Sequence, residues 1–306
     1  MKVIVIGGGI GGLTTSIALT QALPGSDIQI YERVTDLRPS GAAISELLLD
    51  GAAKQGIKIH LGKKGAEYTT SEDNKTVIVT FQDGESVTGD LLIIAEGTHS
   101  KLRNKVIGHI VARNYVGYGN YNGAVPVTSD LGDPTKWNQF YRDDLYQNFE
   151  GWAAPVWNLI KSMDPSKVAR VEIHDIEKLE TFFNGPAVVI GDAAHRTAPD
   201  LGQGGCQAME DAWVLANALK THPNDLPAAL KHYDAMLVKR TVKLVGRARK
   251  RAEMIHGLDM TATNAWYTEL ATESGENIME GMAKTILGAR TDLDSAVAVL
   301  KAEGLM

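Results

Sequence analysis

The chain has 306 residues, of which 44% are hydrophobic and 22% charged, and its formal net charge is −6. That length can bury a large core in two domains, and the composition is that of a globular protein rather than a disordered or fibrous one. The acidic balance argues against a general affinity for nucleic acid or anionic membrane, and the lone cysteine, Cys206, excludes an internal disulfide and suits a reducing, cytoplasmic setting.

Lys2-Val-Ile-Val-Ile6 is a β-branched apolar run, the pattern of a strand buried on both faces. It imitates the start of a secretion signal, but the glycine cluster that follows ends the run too early. No apolar stretch reaches membrane-spanning length. Gly7, Gly9 and Gly12 form G-x-G-x-x-G, and Leu13 to Leu23 follows with helical apolar spacing, closed by Pro24-Gly25. Asp27 to Tyr31 is a second strand, and Glu32 ends it, 20 residues past Gly12. This arrangement suits an adenine dinucleotide. Gly7 permits the turn, Gly9 lets a pyrophosphate approach the backbone, and Gly12 lets helix and strand pack. The helix start favours phosphate, while Glu32 would accept ribose hydroxyls and repel a 2′-phosphate. The motif by itself leaves NAD and FAD open.

After a polar loop over residues 33–41, a helix is expected over Glu46 to Gln55 and a short strand over Ile57 to His60. Thr76 to Phe81 and Glu85 to Gly89 read as a hairpin about Asp83-Gly84. Leu91 to Ala95 is another buried strand, ending at Glu96-Gly97 with Arg103 beyond. Residues 109–140 mix Tyr115, Tyr118 and Tyr121 with glycine and asparagine, and predict strands of a second domain. Asp144 to Met163 predicts a helix interrupted at Pro155.

Ala187 to Ile190 predicts a buried strand that runs into Gly191-Asp192, then Pro199 and the glycine-rich Gly202-Gln-Gly-Gly205. Asp192 could cap a helix or hold a ribose or ribityl hydroxyl, and the amides of Gly202 to Gly205 form a positive pocket at a helix start. The helix runs from Cys206 to Lys220, with Glu210 and Asp211 expected to suit its dipole. His195 reads as an orienting or packing histidine. From Pro227 to about His256 a long helix carries Lys239, Arg240, Lys243 and Arg247, read as a solvated face; a helical tail runs from Thr261 to Met306. The remaining histidines lack metal-ligand spacing.

Three motifs in order are similar to those of the FAD-dependent aromatic hydroxylases: Gly7 to Glu32, Glu96-Gly97 through Arg103, and Gly191-Asp192. Within that group the chain most resembles the FAD-dependent urate hydroxylases. The closer likeness rests on Gly41-Ala-Ala-Ile-Ser45, Tyr118-Gly-Asn-Tyr-Asn-Gly123, Glu172-Ile-His-Asp-Ile176, Pro199-Asp-Leu-Gly-Gln-Gly-Gly-Cys206, Ala248-Arg-Lys-Arg251 and Ala265-Trp-Tyr267. The chain departs from the family pattern where Ser45 runs directly into Glu46 and near Phe140-Tyr141. Those gaps remove strands that would face the flavin and the arginine and tyrosine that position urate. Glu96 stands in place of an aspartate, and Arg196 in place of a small hydroxylated residue.

The resemblance implies a Rossmann-like α/β FAD-binding domain over 1–108 and 175–250, a reduced mixed-sheet substrate domain over 109–174, and a helical segment over 251–306. It implies that Gly7, Gly9, Ile10, Gly11, Gly12, Glu32, Arg33, Ala43, Glu96, Gly97, Arg103, Gly191, Asp192, Pro199, Gly202, Gln203, Gly204 and Gly205 bind FAD. The implied reaction uses NADH and O₂: a flavin C4a-hydroperoxide transfers OH to urate, giving 5-hydroxyisourate, with no metal. Arg142 and Arg196 are the available candidates for a urate partner. The alternatives are an FAD-binding NADH oxidase with little hydroxylation, an aromatic-acid hydroxylase, and, on the glycine motif alone, an NAD-dependent dehydrogenase.

Overall fold

The computed structural model describes residues 1–37, 43–122, 145–163, 168–257 and 259–277. Strand β1 (Lys2–Ile6) leads through the glycine turn into helix α1 (Ile10–Ala22) and strand β2 (Asp27–Tyr31). The helix begins at Ile10 rather than at Leu13, because extended Gly9 serves as its N-cap. β1 and β2 pair in parallel, Lys2 opposite Asp27 and Ile6 opposite Tyr31. Val3, Ile4 and Val5 are fully buried, as a strand covered on both faces requires.

Helix α2 (Ala43–Lys54) starts earlier than its apolar spacing indicated and runs unbroken through Ser45–Glu46. Strand β3 (Lys58–His60) joins the edge of the first sheet. Next comes a three-stranded antiparallel meander of β4 (Gly65–Thr70), β5 (Val77–Phe81) and β6 (Ser86–Gly89). The sequence did not announce β4. Its buried residues, Gly65 and Tyr68, are not in alternation, because the register slips between Gly65 and Glu67. Strand β7 (Leu91–Ile94) returns to the first sheet beside β1, and helix α3 (Leu102–Ile107) follows.

The chain then departs into a second unit, residues 115–173, before returning. Strand β8 (Arg113–Asn122) and strand β9 (Ala169–Ile176) pair and lead out of and back into the first unit. Between them, residues 145–148 are helical, and after a break helix α4 (Ala154–Ser162) carries Pro155 in its first turn, where a missing amide costs nothing, so the interruption expected at Pro155 falls just before it. Leu145 and Ile160 form a small core of this unit with Phe149, Val156 and Met163. The strands expected over 123–140 fall outside the described residues.

The first unit resumes at His174 rather than at 175, and runs to Asn114 rather than to 108. The reason is local: Asn114 Nδ2 donates to buried Asp175 at 3.1 Å, and Arg249 pairs with the same carboxylate at 2.7 Å. Strands β10 (Phe183–Asn184) and β11 (Ala187–Val189) complete a six-stranded sheet ordered β10-β11-β7-β1-β2-β3, parallel except at β10. A short helix α5 (Asp192–His195), helix α6 (Gly204–Thr221), helix α7 (Leu226–His256) and helix α8 (Met260–Thr272) follow. The boundary expected at 251 falls inside α7, whose buried Leu237, Leu244, Val245, Ala248 and Ala252 form one continuous stripe. The tail beyond 277 lies outside the described residues. No described helix is long and apolar enough to cross a membrane.

Close packing at the first turn yields a stability test. A Cβ on Gly12 would stand 1.9 Å from the Gly7 carbonyl oxygen, whereas one on Gly9 would meet nothing within 4 Å. Gly12→Ala should cost about 3 kcal/mol, the upper end for overpacking. Gly9→Ala should stay within about 1 kcal/mol, the scale of a changed cap. Equal losses in guanidinium unfolding would contradict a steric origin for the turn.

Candidate active site

Because β1, β2, β7 and β11 run parallel, their carboxyl ends open on one edge of the sheet. Gly7, Glu32, Glu96 and Gly191-Asp192 follow those ends. β1 lies between β2 and β7, which are reached by connections to opposite sides, so the crevice where such sheets bind ligands falls at Gly7.

The turn after β1 is held from three sides. Gly7 has a φ of +113° and donates its amide to Tyr31 O at 2.9 Å, and a Cβ there would stand 2.3 Å from Ala95 O. Glu32 is only 9% exposed. Its Oε2 accepts from Gly8 N at 2.6 Å and its Oε1 from Val34 N at 3.0 Å. The predicted ribose acceptor therefore also braces the glycine loop. A carboxylate offers about four acceptor positions, which leaves capacity for hydroxyls. Gly9 is exposed, with open space where a side chain would stand. No side chain caps α1 and no acidic residue occupies its first turn, so its leading amides face outward. A pyrophosphate fits this open, positively polarised cradle. Arg33 is exposed just past Glu32.

At the end of β7, Glu96 precedes a single 3₁₀ turn, Gly97–His99. Its Oε2 accepts from Ser100 Oγ at 2.7 Å and Leu102 N at 3.3 Å, while burial pushes its carboxyl above the ordinary range. Arg103 is 2% exposed and spends its guanidinium on main-chain carbonyls, Ala193 O at 3.2 Å and Thr98 O at 3.4 Å. Its position is that of a tie between the β7 and β11 ends.

After β11, Gly191 adopts φ +57° and donates its amide to Asp211 Oδ2 at 2.6 Å. The same oxygen lies 2.7 Å from His195 Nε2, and both side chains are buried. Burial would lower the His195 pKa, but the charge of Asp211 and its hydrogen bond outweigh that and hold the imidazole above its ordinary value. Asp192 Oδ2 pairs with Arg196 Nη1 at 2.5 Å and lies 3.5 Å from Thr98 Oγ1. Pro199 opens a second 3₁₀ turn closed by Gly202 at φ +62°, and Gln203 is the N-cap of α6. As in α1, no side chain caps α6 and no acid lies in its first turn, so Gly204 and Gly205 present free amides.

Some residues take roles other than those expected. Because α6 begins at Gly204, Glu210 and Asp211 lie past its first turn, beyond the reach of the dipole. Glu210 pairs with Arg240 at 2.6 Å, and Asp211 is the buried hub behind Gly191. Thr98 was not singled out by sequence, and Asp211 was read only for its own helix; only a buried acid facing a strand end across 20 residues would have marked its second role. Arg196, a candidate urate partner, is engaged with Asp192. Arg142 and the side chain of Ala43 lie outside the described residues. Among the described residues, no three His, Cys, Asp or Glu side chains are grouped to hold a metal.

Comparisons agree with this architecture. Residues 1–116 match the pyridine nucleotide-disulphide oxidoreductase family, and residues 161–247 match an FAD binding domain. The FAD-dependent urate hydroxylase of Klebsiella pneumoniae is 35% identical over 388 aligned positions, covering 94% of this chain and 99% of the relative. The FAD-dependent urate hydroxylase of Mycolicibacterium vanbaalenii is 33% identical, covering 94% and 97%. The crystal structure of Klebsiella pneumoniae HpxO complexed with FAD and uric acid superposes with a TM-score of 0.80, at 33% identity and with 94% and 97% of the two chains covered. The 388 aligned positions exceed the 306 residues of this chain, so the Klebsiella relative carries stretches without a counterpart here.

The buried His195–Asp211 pair predicts a stability cost and a pH dependence. His195→Ala leaves the Asp211 charge buried without its cation and should cost about 3–5 kcal/mol. Since the native histidine pKa is raised, its contribution is complete below the unfolded value of about 6.5 and is lost as pH rises through the native one. The gap in unfolding free energy between wild type and His195→Gln should therefore narrow with rising pH above that value. A gap independent of pH would contradict a charged pair.

Proposed function

Since the chain belongs to the FAD-dependent urate hydroxylases and is an FAD-dependent monooxygenase, we propose that it hydroxylates urate to 5-hydroxyisourate with NADH and O₂. The observation that carries this reading is the convergence of the two uncapped helix starts, Glu32 and Asp192 on one sheet edge. Bound FAD supplies electron transfer and oxygen activation.

The residues of the chain divide the remaining work. The amides at Gly9 to Gly12 hold the pyrophosphate, with Ile10 and Gly11 in that first turn. Glu32 accepts ribose hydroxyls while keeping Gly8 in place. By the resemblance, Arg33 and Ala43 would add contacts to FAD. Asp192 would hold the ribityl chain, and the start of α6, from Gln203 to Gly205, would offer its uncapped amides to the negative charge of a reduced flavin. Pro199 and Gly202 shape that loop. Glu96, Gly97 and Arg103 support the crevice from β7. Urate is an anion and needs a hydrogen-bonding or cationic partner in a site that excludes water.

One observation favours a second reading, an FAD-binding NADH oxidase with little hydroxylation: the relative's alignment extends over positions that this chain lacks. The resemblance assigns the roof over the flavin and the urate-positioning arginine and tyrosine to those positions. The two readings meet in one expectation, that NADH oxidation is poorly coupled to urate. Most oxidising equivalents should leave as hydrogen peroxide, measured against NADH consumed and 5-hydroxyisourate formed. Stoichiometric hydroxylation with little peroxide would mean that the chain as it stands closes its own site; NADH consumption with no urate product at all would leave only the oxidase.

Glu32→Ala should weaken FAD binding about ten- to a hundredfold, the scale of a charge-assisted hydrogen bond of roughly 1.5–3 kcal/mol. Fluorescence quenching of FAD measures it. An unchanged affinity would make Glu32 a brace for the loop and nothing more.

A further inference from the structure

We propose that Arg196 is a positioning residue, whose guanidinium holds one oxygen of the Asp192 carboxylate so that the other faces the cofactor. The inference rests on the reading of this edge as an FAD site. Asp192 needs such a partner because its own element is too short to fix it: α5 spans only Asp192 to His195. The backbone leaves that turn at Arg196, with ψ at +126°.

The contacts divide cleanly between the two carboxylate oxygens. Oδ2 takes Arg196 Nη1 at 2.5 Å and lies 3.5 Å from Thr98 Oγ1. Oδ1 has no hydrogen-bond partner among the described residues. It lies 3.9 Å from where a Cβ on Gly204 would stand, beside the uncapped start of α6. This acceptor thus lies beside the amides at the start of α6.

Arg196 is itself anchored. Its Nε donates to His174 O at 3.3 Å, so one edge of the guanidinium is fixed by the end of β9 while a terminal nitrogen grips Asp192. A planar, forked donor reaches the two acceptors with separate nitrogens; a lysine would have to serve both from one. The side chains of Arg196 and Asp192 are 29% and 30% exposed. An ion pair in that setting contributes little to stability. Its effect belongs in ligand affinity, where the orientation of Asp192 matters.

The test is a double-mutant cycle read by FAD affinity, with thermal unfolding measured alongside. Arg196→Ala should weaken FAD roughly five- to tenfold, the range of one charge-assisted contact misplaced. It should leave the melting temperature near wild type. Arg196→Lys should recover part of the affinity. In an Asp192→Ala background, Arg196→Ala should change affinity less than about twofold, because the group it positions is gone. Wild-type affinity in Arg196→Ala, or the same loss with and without Asp192, would overturn the assignment. A wild-type protein that binds no FAD would overturn the reading of the site itself, and is told apart by the first titration.

Discussion

Two buried carboxylates each take the amide of a glycine at a strand end, and the arrangement of the site depends on them. Glu32 accepts from Gly8 at 2.6 Å after β1, and Asp211 accepts from Gly191 at 2.6 Å after β11. Both turns must leave a strand abruptly, and both expose main-chain amides that the sheet no longer satisfies. A charged acceptor makes the strongest available bond to such an amide. Asp211 carries a second duty, because its charge is compensated by His195. The turn after β11 is therefore held by a buried ion pair that lies behind the crevice.

This arrangement explains why glycine is concentrated where it is. At Gly12 the carbonyl of Gly7 occupies the volume of a Cβ, and at Gly7 the carbonyl of Ala95 does the same. Gly9, in contrast, faces open space. The first two are demanded by the packing of the chain on itself, and the third leaves room for a ligand. The same division recurs at the second turn, where Gly191 packs against Ala208 while Gly204 lies in front of Asp192.

Much of this was legible in the residues. The run from Lys2 to Glu32 declares strand, turn, helix and strand, because burial on both faces, glycine spacing and a terminal acid are all local signals. The family followed from three such motifs in order. Strand β4 was not legible, since a bulge removes the alternation that marks a strand. Nor were the helix starts, which lie at glycines that carry no helical pattern of their own. The roles of Asp211 and Arg103 depend on partners 20 and 90 residues away, a relation that exists only once the sheet has formed. The limits of the second unit shifted for a similar reason, the tie between Asn114 and Asp175.

The roles of Glu32, Asp192 and Arg196 all depend on the crevice at the carboxyl ends of β1, β2, β7 and β11 being an FAD site. Titration of the cofactor-free protein with FAD, followed by visible absorbance and flavin fluorescence, tests it most directly. The predicted result is a saturable, non-covalent complex of one FAD per chain, weakened by Glu32→Ala and by Asp192→Ala. Absence of saturable binding in a folded protein, or binding indifferent to both substitutions, would contradict it.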